Sequence, residues 1–196
     1  MKNKVLMGLV AIVMVAVLAS CGKVPQAEID AANAAIEAAK VAEAPVYVPA
    51  EFSEVQDSMN VILADIEVEN SKLFKKFGPA KAKLVETTAA ANQVAVNAGL
   101  KKEEVKKEAE TLLTEIKAVI AENATLITKA PRGKDGAAMI AQIKTDIASI
   151  DASLVEAQGS YDSGAYMDAL NKIKAAKERA TGINTELKDA IAKVRR

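Results

Sequence analysis

The chain has 196 residues in which 26 basic side chains balance 26 acidic ones, and without Lys2 and Lys4 of the leader the rest is slightly acidic, which argues against the basic footprint that nucleic-acid binding demands. Histidine is absent and Cys21 is the sole cysteine, so the commonest general base, any internal disulfide and the best nitrogen and sulfur ligands for transition metals are missing. Neither a cofactor nor a metal is expected, and a non-enzymatic role is. Aromatic residues make up 3% and tryptophan is absent, while alanine, lysine and glutamate abound, a balance that predicts an all-α protein.

At the N-terminus, Lys2 and Lys4 introduce an apolar run from Val5 to Ala19 with no acidic residue before Cys21. A basic start followed by such a run is the pattern of a secretory signal. The run is too short to span a bilayer, which takes roughly 20 apolar residues. It closes on Leu18-Ala19-Ser20-Cys21, small residues followed by a cysteine. This stretch resembles the lipobox of bacterial lipoproteins. The resemblance implies that residues 1–20 are a cleaved signal peptide, and that Cys21 becomes the mature N-terminus, thioether-linked to diacylglycerol and N-acylated. It also implies a membrane-held protein of the bacterial envelope. Gly22 and Lys23 lack the aspartate that commonly retains lipoproteins in the inner membrane, so the implied location is the outer membrane, facing the periplasm. Residues 21–25 then form a short lipidated tether, and residues 26–196 the helical domain.

The first predicted helix runs from about Gln26 to Glu43 with a thin apolar face of Ile29, Ala32, Ile36 and Ala39. Pro45-Val46-Tyr47-Val48-Pro49 predicts an extended break, because a proline biases its predecessor out of the α region. A second helix opens at Glu51 and carries Phe52, Val55, Met59, Ile62 and Ile66 to about Phe74. Gly78-Pro79 marks a tight turn, with proline suited to the first turn of the helix that follows.

The third helix starts near Ala80, and its spacing passes Gly99 without losing phase: Leu84, Thr87, Ala91, Val94 and Ala98, then Val105, Ala109, Leu112, Ile116, Val119, Asn123 and Leu126. No N-cap residue follows Gly99, so one helix of about fifty residues, about 75 Å long at ~1.5 Å per residue, is expected. Pro131-Arg132-Gly133-Lys134-Asp135-Gly136 predicts a loop. A fourth helix carries Ile140, Ile143, Ile147, Ile150, Leu154 and Ala157 to a break at Gly159-Ser160, and a fifth carries Tyr166, Ala169, Ile173, Ala176, Ala180, Ile183, Leu187, Ala190 and Val194.

The second and fourth helices each have about half the length of the third and can pair with its two halves. The expected fold is an elongated, coiled-coil-like antiparallel bundle of about five helices, two hairpins sharing one long central helix. If Gly99 instead reverses the chain, the same helices form a compact bundle. A weak internal repeat accompanies this plan. One constant offset aligns Val55 with Ile143, Met59 with Ile147, Ile62 with Ile150, Ile66 with Leu154 and Leu73 with Tyr161. One further residue of offset aligns Phe77 with Tyr166, Ala80 with Ala169 and Leu84 with Ile173. Duplication of a hairpin and the chance likeness of two heptad-patterned hairpins both account for it.

Tyr161, Gly164, Tyr166, Ala169, Leu170, Ile173 and Ala176 are spaced so that they resemble the centre of a tetratricopeptide repeat, over one hairpin only. That resemblance makes Tyr161 and Tyr166 the candidate partner-contact residues. Tyr47-Val48-Pro49-Ala50-Glu51-Phe52, followed by Phe77, Ala80 and Lys81, resembles an uncharacterised alanine-rich helical domain of envelope lipoproteins, over about residues 40–98. It implies an all-helical envelope protein and brings no activity with it.

The carboxylates Glu51 and Glu54, and Asp65, Glu67 and Glu69, fit solvated helix faces, since no glycine-bearing calcium loop surrounds them. Residues 101–108 alternate in sign, with Glu103 and Lys107 a favourable i, i+4 pair, as on an exposed face. Two functions follow. One is a helical structural spacer or adaptor that binds an envelope protein or peptidoglycan. The alternative is a periplasmic receptor that takes a peptide or small ligand in a tetratricopeptide-like groove. An open apolar groove at Tyr161 and Tyr166 favours the second, and charged outer faces favour the first.

Overall fold

A computed structural model describes residues 22–194. The leader and Cys21 lie outside the described residues. Among those described there are helices and no strand. They are α1 (Gln26–Val41), α2 (Ala44–Tyr47), α3 (Pro49–Asn70), α4 (Gly78–Lys129), α5 (Lys134–Asp162) and α6 (Tyr166–Val194). The expected all-α helical bundle is what the chain forms, its five long helices joined by one single-turn helix, α2.

Contacts divide the chain into two units, Met1–Gly99 and Leu100–Arg196. In the first unit, α1 buries Ile29, Ala32, Ile36 and Ala39, the thin face expected of it. With Ala35, these five methyl-sized or isoleucine side chains give little area, but alanine lets the helix backbones approach closely. Glu28 in the first turn and Lys40 in the last complement the helix dipole. The stripe of α3, Phe52, Val55, Met59, Ile62 and Ile66, is buried against Leu84, Ala91, Val94 and Ala98 of α4.

Polar pairs fix the directions of these helices. Asn97 Nδ2 donates to Glu51 Oε2 at 2.7 Å near the start of α3, and Lys83 meets Asp65 at 2.9 Å near its end, so α3 and α4 run antiparallel. Lys81 meets Glu28 at 2.8 Å, first turn against first turn, so α1 and α4 run parallel.

In the second unit the later part of α4 packs with α5 and α6. Ile116, Ile143, Ile150, Ala176, Ala180, Ile183 and Leu187 form its core. Glu108 with Lys174 at 2.7 Å, Glu122 with Lys188 at 2.9 Å, and Glu115 with Lys177 join α4 to α6 in parallel. Each unit is therefore three long helical segments around one apolar cluster, to which the first unit adds Ala44 of the single turn α2. The repeat noted in the sequence maps buried residue onto buried residue at Val55/Ile143, Ile62/Ile150, Ala80/Ala169 and Leu84/Ile173. The offset of that last pair also places Ala91 on Ala180, Val94 on Ile183 and Ala98 on Leu187, all buried. It fails at the turn, where Leu73 is exposed and Tyr161 half-buried.

Several boundaries differ from expectation. The extended break at residues 45–49 is instead a helical turn. Glu43 takes a left-handed conformation at φ 62°, and Tyr47 N–H and Val48 N–H close the turn onto the carbonyls of Glu43 and Ala44. Pro45 stands at the start of that turn, where no N–H is needed, and buried Ala44 and Tyr47 hold it against the unit. Only Val48, before Pro49, is displaced from the α region, at φ −140° and ψ 57°.

Helix α3 stops at Asn70 rather than near Phe74. The α4–α5 connection is shorter than the predicted loop, because α5 already begins at Lys134. A Cβ on Gly136 would lie 2.0 Å from the Pro131 carbonyl oxygen, so glycine permits that abrupt start. The break expected at Gly159-Ser160 falls later: α5 continues to Asp162, and Gly164 makes the turn with φ 84°. Gly99 lies within the unbroken α4, on an exposed face with open space where a Cβ would stand.

Candidate functional site

Cys21, the proposed lipid site, is outside the described residues, but the chain just after it is visible. Gly22 and Lys23 are exposed, Val24 is half-buried against the first unit's core, and Pro25 is buried. Gln26 N–H donates to Val24 O at 2.8 Å, and Ile29 N–H to Pro25 O at 3.0 Å. The tether expected to run through residue 25 is thus docked from Val24 onward.

Tyr161 and Tyr166 come together at the α5–α6 turn. Gly164 N–H donates to Tyr161 O at 3.0 Å and Ala165 N–H to Ser160 O at 2.9 Å, reversing the chain. The ring centroids lie 5.1 Å apart at 55°. Around them, Ser160 Oγ donates to Asp168 Oδ2 at 2.6 Å, and Lys172 Nζ reaches Asp168 at 2.7 Å and Ser160 Oγ at 3.0 Å. Lys172, then Ser160, hold the Asp168 carboxyl below the usual carboxylate range.

On α4, Glu103, Glu104 and Lys107 are exposed, as the charge alternation predicts, while the flank facing this turn is engaged within the unit. Lys106 and Lys102 stand 5.5 and 5.8 Å from the Tyr166 ring centre, a cation–π arrangement. Tyr161 Oη donates to a carboxylate oxygen of Glu110. Lys101 pairs with Glu104 at 2.9 Å, Glu108 crosses to α6, and Val105 is buried. Spacing along one helix could not show this, since each contact depends on which helix lies alongside.

Both tyrosines are half-buried and engaged in these contacts. The Glu110 carboxylate and desolvation push the Tyr161 hydroxyl up to about 12, away from the range of a base or nucleophile at neutral pH. Because the folded value exceeds the unfolded value near 10, this contact stabilises the fold below pH ~10 and is lost as pH rises through about 12. In a phenolate absorbance titration of the three tyrosines, one should ionise late, and Glu110→Gln should bring it earlier. An unchanged curve would contradict the contact.

The carboxylates considered from the sequence are dispersed. Glu51 is held by Asn97, Asp65 by Lys83, and Glu69 by Lys72, whose hydrogen bond lowers its pKa. Among the described residues no group of histidine, cysteine, aspartate or glutamate is arranged to hold a metal ion. An open trough of about 560 Å³ runs between α3 and α4, with Glu54, Asp57, Lys83 and Glu86 among the residues that line it and apolar side chains at its floor. No buried side-chain polar atom among the described residues lacks a partner, so none is aimed into the trough awaiting a ligand.

Sequence reasoning placed Asn123 on the core stripe without assigning it a use. It is fully buried in the second unit and bonded to Asn184 and to the Ala180 carbonyl. No described helix is long and apolar enough to cross a membrane. No family model, curated protein or solved structure matches the chain.

Proposed function

We propose that this protein is a non-enzymatic lipoprotein of the bacterial envelope, held by acyl chains on Cys21 and acting as a helical spacer or adaptor. The observation that carries this reading is Leu18-Ala19-Ser20-Cys21 at the end of a basic-then-apolar leader. Two acyl chains or more give stable attachment, each buried methylene contributing ~0.8 kcal/mol. The absence of the retention aspartate after Cys21 supports the outer membrane, facing the periplasm. An envelope protein or peptidoglycan is the proposed partner.

The helical units support a spacer in two ways. Their outer faces are laced with ion pairs such as Glu108–Lys174 and Glu122–Lys188. In the second unit the paired tyrosines contact Glu110 and Lys106 of α4, which weighs against the receptor alternative.

Replacing Cys21 with alanine tests the anchor. The variant should leave the membrane fraction or accumulate as an uncleaved precursor. Normal maturation with extraction by detergent alone would overturn the proposal.

A further inference from the structure

The α3–α4 connection, residues 71–77, is unlike the other exposed apolar positions. Leu73 is 90% exposed and Phe74 81%, adjacent and at the tip of a loop, whereas the exposed valines Val61, Val68, Val85 and Val96 lie along helix flanks. Single exposed apolar residues are ordinary, but two large neighbours projecting from a tip mark a contact surface. They are bracketed by Lys72, Lys75 and Lys76. Lys72 pairs with Glu69, and Lys75 Nζ donates to Asn70 Oδ1 at 2.7 Å, both at exposed positions. Residues 71–77 carry three lysines and no acid, so the loop itself is positive, with Glu67 and Glu69 behind it in the last turn of α3.

Its position gives the tip an occupant. Asp65 near the end of α3 meets Lys83 near the start of α4, and Lys81 in the same turn meets Glu28 in the first turn of α1. The end of α3, the start of α4 and the start of α1 therefore share one end of the first unit. From that end Val24 and Pro25 lead back, through exposed Gly22 and Lys23, to Cys21. The opposite end carries the α1–α2 turn and Val41.

We propose that residues 71–77 are a second membrane contact: Leu73 and Phe74 insert into the leaflet that holds the Cys21 lipid, and Lys72, Lys75 and Lys76 meet anionic phospholipid headgroups. Apolar side chains at the acyl boundary with lysines among the headgroups is how interfacial segments bind. The identity of the leaflet rests on the lipoprotein reading. A weak contact suffices, because the tether keeps the tip at high effective concentration at the surface. The consequence is an oriented first unit, standing on two points with the α1–α2 turn directed away from the membrane.

The chain has no tryptophan, so Phe74→Trp installs a single reporter at an exposed site. Both apolar clusters are built from residues 24–187, so residues 22–196 retain every core residue and can be studied without lipid on Cys21. With millimolar vesicles of phosphatidylcholine and phosphatidylglycerol, the Phe74→Trp emission should shift blue and be quenched by bromine-labelled acyl chains. Adding Leu73→Ser should reduce partitioning about tenfold or more, and vesicles of phosphatidylcholine alone should bind several-fold less. Val41→Trp, 84% exposed at the opposite end, should not respond.

An unmoved Phe74→Trp spectrum would overturn the proposal. So would an equal response from Val41→Trp, which is adsorption without orientation, or a concentration-dependent shift in the absence of vesicles, which is self-association. None of these outcomes depends on Cys21, so failure of the loop and failure of the anchor are read separately.

Discussion

Ile116→Ala should lower the unfolding free energy by about 2–5 kcal/mol, the range for truncating a fully buried isoleucine. Ile116 has no exposed surface and packs in the cluster that contains Ile143, Ile150, Ala180 and Leu187. The upper part of the range applies if the space left behind cannot close. Ala176 and Ala180 on α6 are already too short to reach into it. Val155→Ala is the control, since Val155 is 74% exposed and should change stability by less than about 0.5 kcal/mol. Urea unfolding followed by helical circular dichroism measures both. A shift for Ile116→Ala no larger than that for Val155→Ala would contradict the packing described for the second unit.

Asn123→Leu should cost about 1–3 kcal/mol although it replaces a polar core residue with an apolar one. Asn123 Nδ2 donates to the Ala180 carbonyl and its Oδ1 accepts from Asn184 Nδ2, each at 2.8 Å, with Asn123 wholly buried and Asn184 8% exposed. Removing Asn123 leaves one N–H of the Asn184 amide without its acceptor; its hydrogen bond to the Glu122 carboxylate remains. Replacing both asparagines with leucine should recover most of the loss or exceed wild type, because no buried polar group is then stranded. The double-mutant cycle therefore carries a coupling of the order of the single loss. Additive single effects would contradict the pairing. What the pair contributes is register: sliding α6 by a turn against α4 would put an amide against isoleucine, as a buried asparagine does in a coiled coil.

Much of this architecture is legible in the sequence because long helices with one apolar stripe encode their own packing. Phe52 to Ile66 on α3 and Ile143, Ile150 and Ala157 on α5 are buried where their spacing places them, and α4 crosses Gly99 because the stripe keeps phase on both sides. What escaped was set by tertiary partners or by single caps. The α2 turn forms because Tyr47 finds a buried site, which no local preference of Pro45 or Pro49 announces. The end of α5 is decided by Gly164, the residue able to take φ 84°, rather than by Gly159 five residues earlier. Alternating charges at residues 101–108 read as solvent-facing, which holds for Glu103, Glu104 and Lys107, whereas Lys106 and Glu108 meet the tyrosine turn and α6. Leu73 and Phe74 read as a continuation of the α3 stripe, and their exposure became visible only once the helix ended at Asn70. Cys21 stands on its motif alone.

The mass of the N-terminal tryptic fragment of protein extracted from membranes tests the Cys21 anchor most directly. Cleavage after Lys23 should yield Cys21-Gly22-Lys23 carrying a diacylglyceryl group and an amide-linked acyl chain, with nothing from residues 1–20. An unmodified fragment that reads through Ser20 into Cys21 would contradict both the anchor and the orientation built on it.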